Sequence, residues 1–207
     1  MLVVAIIVLI DLAFLVHYHS VWGLDVYLSR DIQAEGDTAN RKSAILDVLT
    51  WVSYFGKPVV TGVMIFVVAA IFWLLKYYRE TIFVLLTPVA AAINFVVKLI
   101  VDRPRPDGSL VHVLDRELDP SFPSGHVNFY VVFFGFLIAA MFFTPKIPLW
   151  IRVLVALFST AMIISISFSR IYLGAHWATD VLGGYLLGLI LLSILLYFYL
   201  KPKTDSK

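Results

Sequence analysis

The sequence has 207 residues, of which 61% are hydrophobic and only 14% are charged, and its mean hydropathy is +0.92. Ordinary soluble domains are roughly 45–50% apolar, so this composition predicts a membrane protein. The net charge of +2 is too small to indicate nucleic-acid binding, and the absence of cysteine excludes disulfides, thiolate metal sites and a cysteine nucleophile.

Six segments are long and apolar enough to cross a membrane as helices, which takes about 17–25 residues each. They lie near residues 1–24, 58–75, 81–97, 127–144, 153–169 and 181–200. None alternates polar with apolar residues as the strands of an outer-membrane barrel do. The sequence therefore predicts an all-α polytopic membrane protein, with a bundle of six transmembrane helices in a single domain over residues 1–207.

The first third of the chain carries three further expectations. Asp11 in the first span is costly in lipid, so it should face the bundle or lie above the membrane midpoint. Residues 25–42 carry both signs of charge and are predicted to form a solvent-facing connection. Apolar residues recur at helical spacing over residues 43–56, which predicts an interfacial amphipathic helix between the first and second spans. The alternative is an early start to the second span.

Polar residues that could carry chemistry gather in three places along the second half of the chain. They are Lys98 with Arg105, then Pro123 to His126, and then Ser169 and Arg170 with His176 and Asp180. In an up-and-down bundle the third-to-fourth and fifth-to-sixth connections emerge on the same side of the membrane. The three places can therefore form one composite site.

The residue types in this composite site favour a phosphate group. Lys98, Arg105 and Arg170 supply three cations, and the planar arginine fork matches phosphate oxygens with two parallel hydrogen bonds. Ser124 and Gly125 come just before the fourth span, where free backbone N–H groups and the positive helix end bind anions. Together these groups predict a phosphate cradle built without a metal.

Two histidines lie beside these cations at the starts of helices. One of His126 and His176 can attack while the other moves a proton. Asp180 follows His176 by four residues, so in a helix it lies one turn away and can orient the imidazole. His17, His19 and His112 lack such partners and are not predicted to be functional.

Each of these features also has an ordinary explanation when it is considered alone. A lysine at the end of a span often only anchors the helix, Pro-Ser-Gly before a helix is often a turn and an N-cap, and a His–Asp pair is often a surface pair. Their concentration on one face of a very apolar protein favours a catalytic site instead.

The three clusters resemble the signature of the type-2 phosphatidic acid phosphatase family, also called lipid phosphate phosphatases. KLIVDRPRP at residues 98–106 is similar to the first motif, which is Lys, six residues, Arg-Pro. PSGH at residues 123–126 matches the second motif. SRIYLGAHWATD at residues 169–180 matches the third, which is Ser-Arg, five residues, His, three residues, Asp.

The resemblance implies a role for each residue of the composite site. His176 would be the nucleophile, Asp180 would orient it, and His126 would protonate the departing alkoxide. The groups that would bind the phosphoryl oxygens are Lys98, Arg105, Ser124, Gly125 and Arg170. The implied reaction is a double displacement through a phosphohistidine, with no metal and no other cofactor.

The resemblance also implies a substrate and a location. The expected reaction is dephosphorylation of a lipid phosphate or diphosphate, such as a polyprenyl diphosphate, phosphatidylglycerophosphate or phosphatidic acid. The expected partners are this lipid and the surrounding membrane lipids, with no nucleic acid, and the oligomeric state is left open. The expected location is the plasma membrane, which is the inner membrane in bacteria, with the active site on the outer, periplasmic side.

Two alternatives use the same residues differently. A lipid phosphotransferase would pass the phosphoryl group to another lipid through the same histidines, and a non-catalytic lipid-binding membrane protein would leave them unexplained. Arg103 and the acidic residues Asp115, Glu117 and Asp119 lie outside the signature, and a rim or lid role is expected for them. Arg103 is also expected to contact a second phosphate, which would favour diphosphates.

Overall fold

The computed structural model describes residues 2–35 and 42–202. Regular secondary structure in these two ranges is entirely helical, which confirms the all-α prediction. The helices are α1 (Leu2–Tyr18), α2 (Gly23–Glu35), α3 (Lys42–Tyr54), α4 (Pro58–Leu74), α5 (Tyr78–Leu86), α6 (Pro88–Val101), α7 (Gly125–Phe143), α8 (Leu149–Tyr172) and α9 (Ala178–Leu200).

Four stretches of the described chain are long and apolar enough to cross a membrane. They are Tyr78–Val101, which joins α5 and α6, together with α7, α8 and α9. Two bent pairs raise the number to as many as six, namely α1 with α2 at 92° and α3 with α4 at 64°. The predicted third to sixth spans overlap the four stretches, and the second matches α4, which is 17 residues long. The first, residues 1–24, is only partly α1, because α1 ends at Tyr18 and the chain bends by 92° into α2, which begins at Gly23.

Helix α7 is the centre of the bundle. Over its most apolar 18-residue stretch 67% of the residues are buried, against 17% for α8. It packs mainly on α8 and α9 and also on α6, so apolar side chains are favoured all round it rather than along one stripe. The first turn of α7 is consequently held in the middle of one end of the bundle.

The prediction of a solvent-facing connection is wrong for residues 25–35, which form most of α2. Asp25, Ser29 and Gln33 recur at four-residue spacing and are all buried. The Gln33 amide donates to the carbonyl oxygens of His112, at 2.7 Å, and Tyr172, at 3.0 Å. Hydropathy misleads here because α2 buries its polar face, against α8 and α9. Residues 36–41 of that prediction lie outside the described residues.

Helix α3 covers most of the segment predicted to be amphipathic. It is separate from α4 and lies against α8, with Val52 buried and Trp51 and Tyr54 each 52% exposed. Three hydrogen bonds fix it to the bundle, because its carbonyl oxygens accept from Ser169 and Tyr130 and its Ser53 hydroxyl accepts from Arg170.

Asp11 does not face the bundle, which excludes the first of the two positions expected for it, and a position above the membrane midpoint stays a prediction. Its side chain is exposed on the outer face of α1, beside Phe14 and Tyr18. The inward face of α1 carries Leu12 and Val16 instead, which pack against α9 and α6.

Candidate active site

All eight predicted site residues lie at the end of the bundle where α6 ends and α7 and α9 begin. Helix α6, whose last turn carries Lys98, ends at Val101 because Asp102 adopts the left-handed conformation, with φ of 47°, and donates its N–H to the Lys98 carbonyl. Aspartate is one of the few residues that tolerate this conformation. The chain therefore turns back over the bundle end and brings Arg105 beside His176.

The three predicted phosphate-binding cations are paired with one short stretch of acidic residues. We call Asp115, Glu117 and Asp119 the acidic segment. Its ion pairs are Lys98 with Asp119 at 2.8 Å, Arg105 with Glu117 and Asp119 at 2.7 Å each, and Arg170 with Asp115 at 2.9 Å and Glu117 at 2.8 Å. Glu117 thus bridges two guanidinium groups as a phosphoryl group would.

The cations of the cradle act strongly on Asp119. Burial alone would raise the pKa of Asp119, but the hydrogen bond and charge of Lys98 and the charge of Arg105 outweigh it and lower the pKa to about 2. Asp119 is therefore an ionised carboxylate at any physiological pH. The cations of the cradle thus already bind an anionic side chain.

The first turn of α7 contributes the PSGH residues. Ser124 is the N-cap residue of α7 and its side chain makes no capping hydrogen bond. Among the described residues, three buried polar atoms at this site have no hydrogen-bond partner, namely Ser124 Oγ, His126 Nε2 and Arg170 Nε. Buried polar groups are normally satisfied, so these three atoms are available for a substrate.

His176 lies in the turn between α8 and α9 and is almost fully buried. Gly174 makes the turn possible, because its φ of +64° and the nearby His112 carbonyl leave no room for a side chain. His176 Nδ1 lies 3.5 Å from Asp180 Oδ2, while Nε2 lies 3.3 Å from Arg105 Nη1 and 3.9 Å from Glu117 Oε2. Asp180 therefore faces one ring nitrogen and the other faces the cations.

Burial and charge both keep His176 neutral. Desolvation is the main cause that lowers its pKa well below the usual value, followed by the positive charges of Arg105, Lys98 and Arg170. A neutral imidazole has the lone pair that a nucleophile needs at physiological pH.

His126 lies across the cradle from His176, at the start of α7. Its Nδ1 is 3.7 Å from Glu117 Oε1. Its ring packs directly on the backbone of Gly56, where any Cβ atom would overlap it. Gly56 is thus a site residue that the sequence marks only as the end of a helix, and it brings the link between α3 and α4 to the site.

Asp180 is held by more groups than its sequence spacing suggests. Its Oδ2 accepts hydrogen bonds from the Ser121 hydroxyl and from the Trp177 N–H, the latter at 2.9 Å. Its Oδ1 pairs with Arg103 at 2.6 Å. Neither Ser121 nor Arg103 is a specified position of the three sequence motifs, so the motifs do not predict these contacts with Asp180.

The expectations for Arg103 are wrong. Arg103 does not lie at a rim, because its side chain is 0% exposed. Its guanidinium forms ion pairs with Asp25 and Asp180. Its Nε donates to the Ser20 carbonyl at 2.9 Å. With Nη1 also donating to the Thr179 hydroxyl, four of the five N–H donors of Arg103 are bonded inside the protein, and the buried side chain presents no surface to a second phosphate.

A cavity of about 490 Å³ connects the cradle with the outer face of the bundle. It lies between α4, α6 and α7, with Lys98, Glu117 and His126 at one end and Pro58 and Phe95 among its apolar walls. The described residues contain no group of three or more His, Asp or Glu side chains arranged to hold a metal ion.

Comparisons with known proteins agree with this architecture. The family model of the PAP2 superfamily matches residues 77–203. Phosphatidylglycerophosphatase B of Bacillus subtilis (strain 168) is 30% identical over 184 residues, which are 83% of this chain and 84% of that protein. A putative undecaprenyl-diphosphatase of Escherichia coli (strain K12) is 29% identical over 143 residues, 66% of each chain.

The fold also matches a solved structure over nearly its whole length. The crystal structure of a transmembrane PAP2-type phosphatidylglycerolphosphate phosphatase from Bacillus subtilis superposes with a TM-score of 0.81 and 26% identity, covering 99% of this chain and 98% of that one. The resemblance drawn from the three motifs is thereby confirmed: the chain belongs to the PAP2 superfamily.

Proposed function

We propose that this membrane protein removes phosphate from a lipid phosphate or lipid diphosphate through a phosphohistidine formed on His176. The observation that carries the proposal is the position of the Glu117 carboxylate. It bridges Arg105 and Arg170 while lying within 4 Å of a ring nitrogen of both His126 and His176. A phosphoryl group in its place would face both histidines.

The first chemical step follows from this placement. His176 Nε2 attacks phosphorus, and Asp180 stabilises the positive charge that develops on the ring because it faces Nδ1. His126 donates a proton to the leaving oxygen of the lipid. In the second step His126 takes a proton from water, which attacks the phosphohistidine and releases inorganic phosphate.

Charge stabilisation supplies most of the catalysis in this scheme. The phosphoryl oxygens replace the acidic segment on Lys98, Arg105 and Arg170, and they take the open Ser124 hydroxyl and the first N–H groups of α7. Three cations and a helix N-terminus balance the charge without Mg²⁺ or Zn²⁺, so the reaction is proposed to be independent of metals.

The lipid reaches the site from the side. The cavity between α4, α6 and α7 lets the head group meet the cradle while the tail stays among apolar side chains of the outer surface. Six spans, formed by α1, α4, the α5–α6 pair, α7, α8 and α9, would surround the site within one domain. In this arrangement α3 would lie in the interface, with Trp51 and Tyr54 exposed to lipid head groups.

The relatives suggest the substrates to test first. The names of the two relatives contain phosphatidylglycerophosphate and undecaprenyl diphosphate, so these lipids are tested first. Phosphatidic acid is added as a simple monoester for comparison. The proposed setting is the bacterial inner membrane with the cradle on the periplasmic side. The active unit is left open between a monomer and an oligomer.

The experiment uses purified protein in detergent with these three lipids and a water-soluble phosphate ester. Released phosphate and phosphate transferred to a second lipid are both measured, so that a phosphotransferase is distinguished from a phosphatase. We expect phosphate release from at least one lipid and little from the soluble ester. Transfer that exceeds release would replace the phosphatase with a phosphotransferase.

The nucleophile is tested in the same assay with a matched pair of histidine variants. His176→Ala is expected to abolish turnover and the acid-labile phosphoenzyme, while His112→Ala, in an exposed loop, leaves both intact. Near-normal turnover by His176→Ala, or a phosphohistidine trapped on it, would refute the assignment.

A further inference from the structure

A buried charge network lies behind His176, and two of its three residues, Arg103 and Asp25, take no part in the mechanism above. Arg103, in the link after α6, donates from Nη1 to Asp180 Oδ1 at 2.6 Å and from Nη2 to Asp25 Oδ2 at 2.8 Å. The side chains of all three residues are 0% exposed. Asp25 lies in the first turn of α2, so the network joins the beginning of the chain to the start of α9.

Asp25 also holds the backbone that carries Asp180. Its Oδ1 accepts a hydrogen bond from the Thr179 N–H at 2.9 Å, and its Oδ2 accepts one from the Thr179 hydroxyl at 2.7 Å. The same hydroxyl accepts a hydrogen bond from Arg103 at 2.7 Å. The first turn of α9 is thereby fixed in position by a residue of α2.

The two oxygens of Asp180 have different tasks in this arrangement. Oδ1 forms the ion pair with Arg103, while Oδ2 faces His176 Nδ1. A buried Arg–Asp pair on its own would be close to neutral and would offer His176 little negative charge. The second carboxylate, Asp25, shares the guanidinium, so the three residues together keep one negative charge next to the imidazole.

We propose that Asp25 is a positioning residue for the reaction assigned above, acting through Arg103 on Asp180 and thereby on His176. The inference rests on the proposed function, because it assumes that His176 is the nucleophile. Asp25 touches neither the cavity nor the acidic segment, so its effect falls on the chemical step and not on substrate binding.

The test begins with Asp25→Asn, which keeps the size of the side chain and removes its charge. The variant leaves Arg103 to neutralise Asp180, which weakens the negative charge that Asp180 presents to His176, and kcat is expected to fall about tenfold. KM for the lipid is expected to stay within about twofold of the unchanged protein. The control is Asp31→Asn, an exposed residue of the same helix, which should leave both constants unchanged.

A double-mutant cycle separates positioning from a general structural role. If Asp25 acts through Asp180, then Asp25→Asn should change kcat by less than about twofold in an Asp180→Asn background. A structural role would instead multiply the two losses. Multiplied losses, or a raised KM with unchanged kcat, would overturn the proposal.

A second variant covers the case in which Asp25→Asn does not fold. Asp25→Asn combined with Arg103→Gln removes a matched charge pair, which buried sites tolerate better than removal of one partner, and it leaves the negative charge on Asp180. We expect its kcat within about threefold of the unchanged protein, because the charge facing His176 is restored. A loss of tenfold or more in this folded variant would contradict the proposal.

The activity of His176→Ala in the same assay distinguishes failure of the positioning role of Asp25 from failure of the proposed function. An inactive His176→Ala with unimpaired Asp25→Asn refutes the positioning role alone. An active His176→Ala refutes the proposed function itself.

Discussion

Neutralising Glu117 tests whether the acidic segment holds the position of the substrate phosphate. Glu117→Gln keeps the shape of the side chain but removes the charge that pairs with Arg105 at 2.7 Å and with Arg170 at 2.8 Å. Because an incoming phosphoryl group has to break both ion pairs, the variant is expected to bind anions more tightly. The same change should leave kcat nearly unchanged, since Glu117 has no role in the proposed chemistry.

The size of the effect follows from the two ion pairs and their exposure. The Glu117 side chain is 26% exposed, so each pair is only partly shielded from water. At about 0.5–1 kcal/mol for each such pair, the total of about 1–2 kcal/mol corresponds to a roughly 5- to 30-fold lower dissociation constant for the competing anion. The pairs are also screened by salt, so the difference should shrink at high ionic strength.

The assay is competitive inhibition by orthovanadate, followed by KM for the lipid, each measured at low and at high salt. Asp107→Asn is the control, because Asp107 is an exposed acid of the same loop. An inhibition constant that is equal in Glu117→Gln, Asp107→Asn and the unchanged protein would refute the competition. A fall of kcat by about 100-fold or more would show instead that Glu117 takes part in the chemistry.

Three further outcomes are expected. Because burial and neighbouring cations lower the pKa of His176, its ring should stay neutral as the pH falls from 8 to 6. Its side-chain NMR shifts, assigned with His176→Gln, should therefore not change over this range. A protonated ring at pH 6 would contradict this expectation. Chelators such as EDTA should leave turnover intact, and a loss that added Mg²⁺ reverses would disprove metal independence. In intact cells, a membrane-impermeant thiol reagent should label a cysteine introduced at Ser109 but not one at Ser206, and the reverse pattern would place the active site inside.

The membrane character and the eight motif residues could be predicted from the sequence because both depend on local patterns. A run of apolar residues specifies a membrane helix whatever its neighbours are, since lipid leaves the backbone no other partner. The spacing between His176 and Asp180 predicts their proximity because a helix repeats every 3.6 residues. The meeting of the three motifs followed from the parity of the spans.

The partners of these residues depend on contacts between distant segments, and there the sequence was a poorer guide. Asp25 in a polar segment looked solvent-exposed, yet it is buried because Arg103 compensates its charge. Arg103 looked like a spare cation for the substrate, and only the packing of α2 against α9 shows that it serves Asp180.

The sequence by itself determined the class of protein and indicated the roles proposed for the cradle and the two histidines, because each depends on residue type and short-range spacing. The tertiary structure decided which charge pairs with which, including the bridge that Glu117 makes between Arg105 and Arg170. The physical reason is that charge pairing inside a protein depends on distance and burial in three dimensions, and the order of residues along the chain specifies neither.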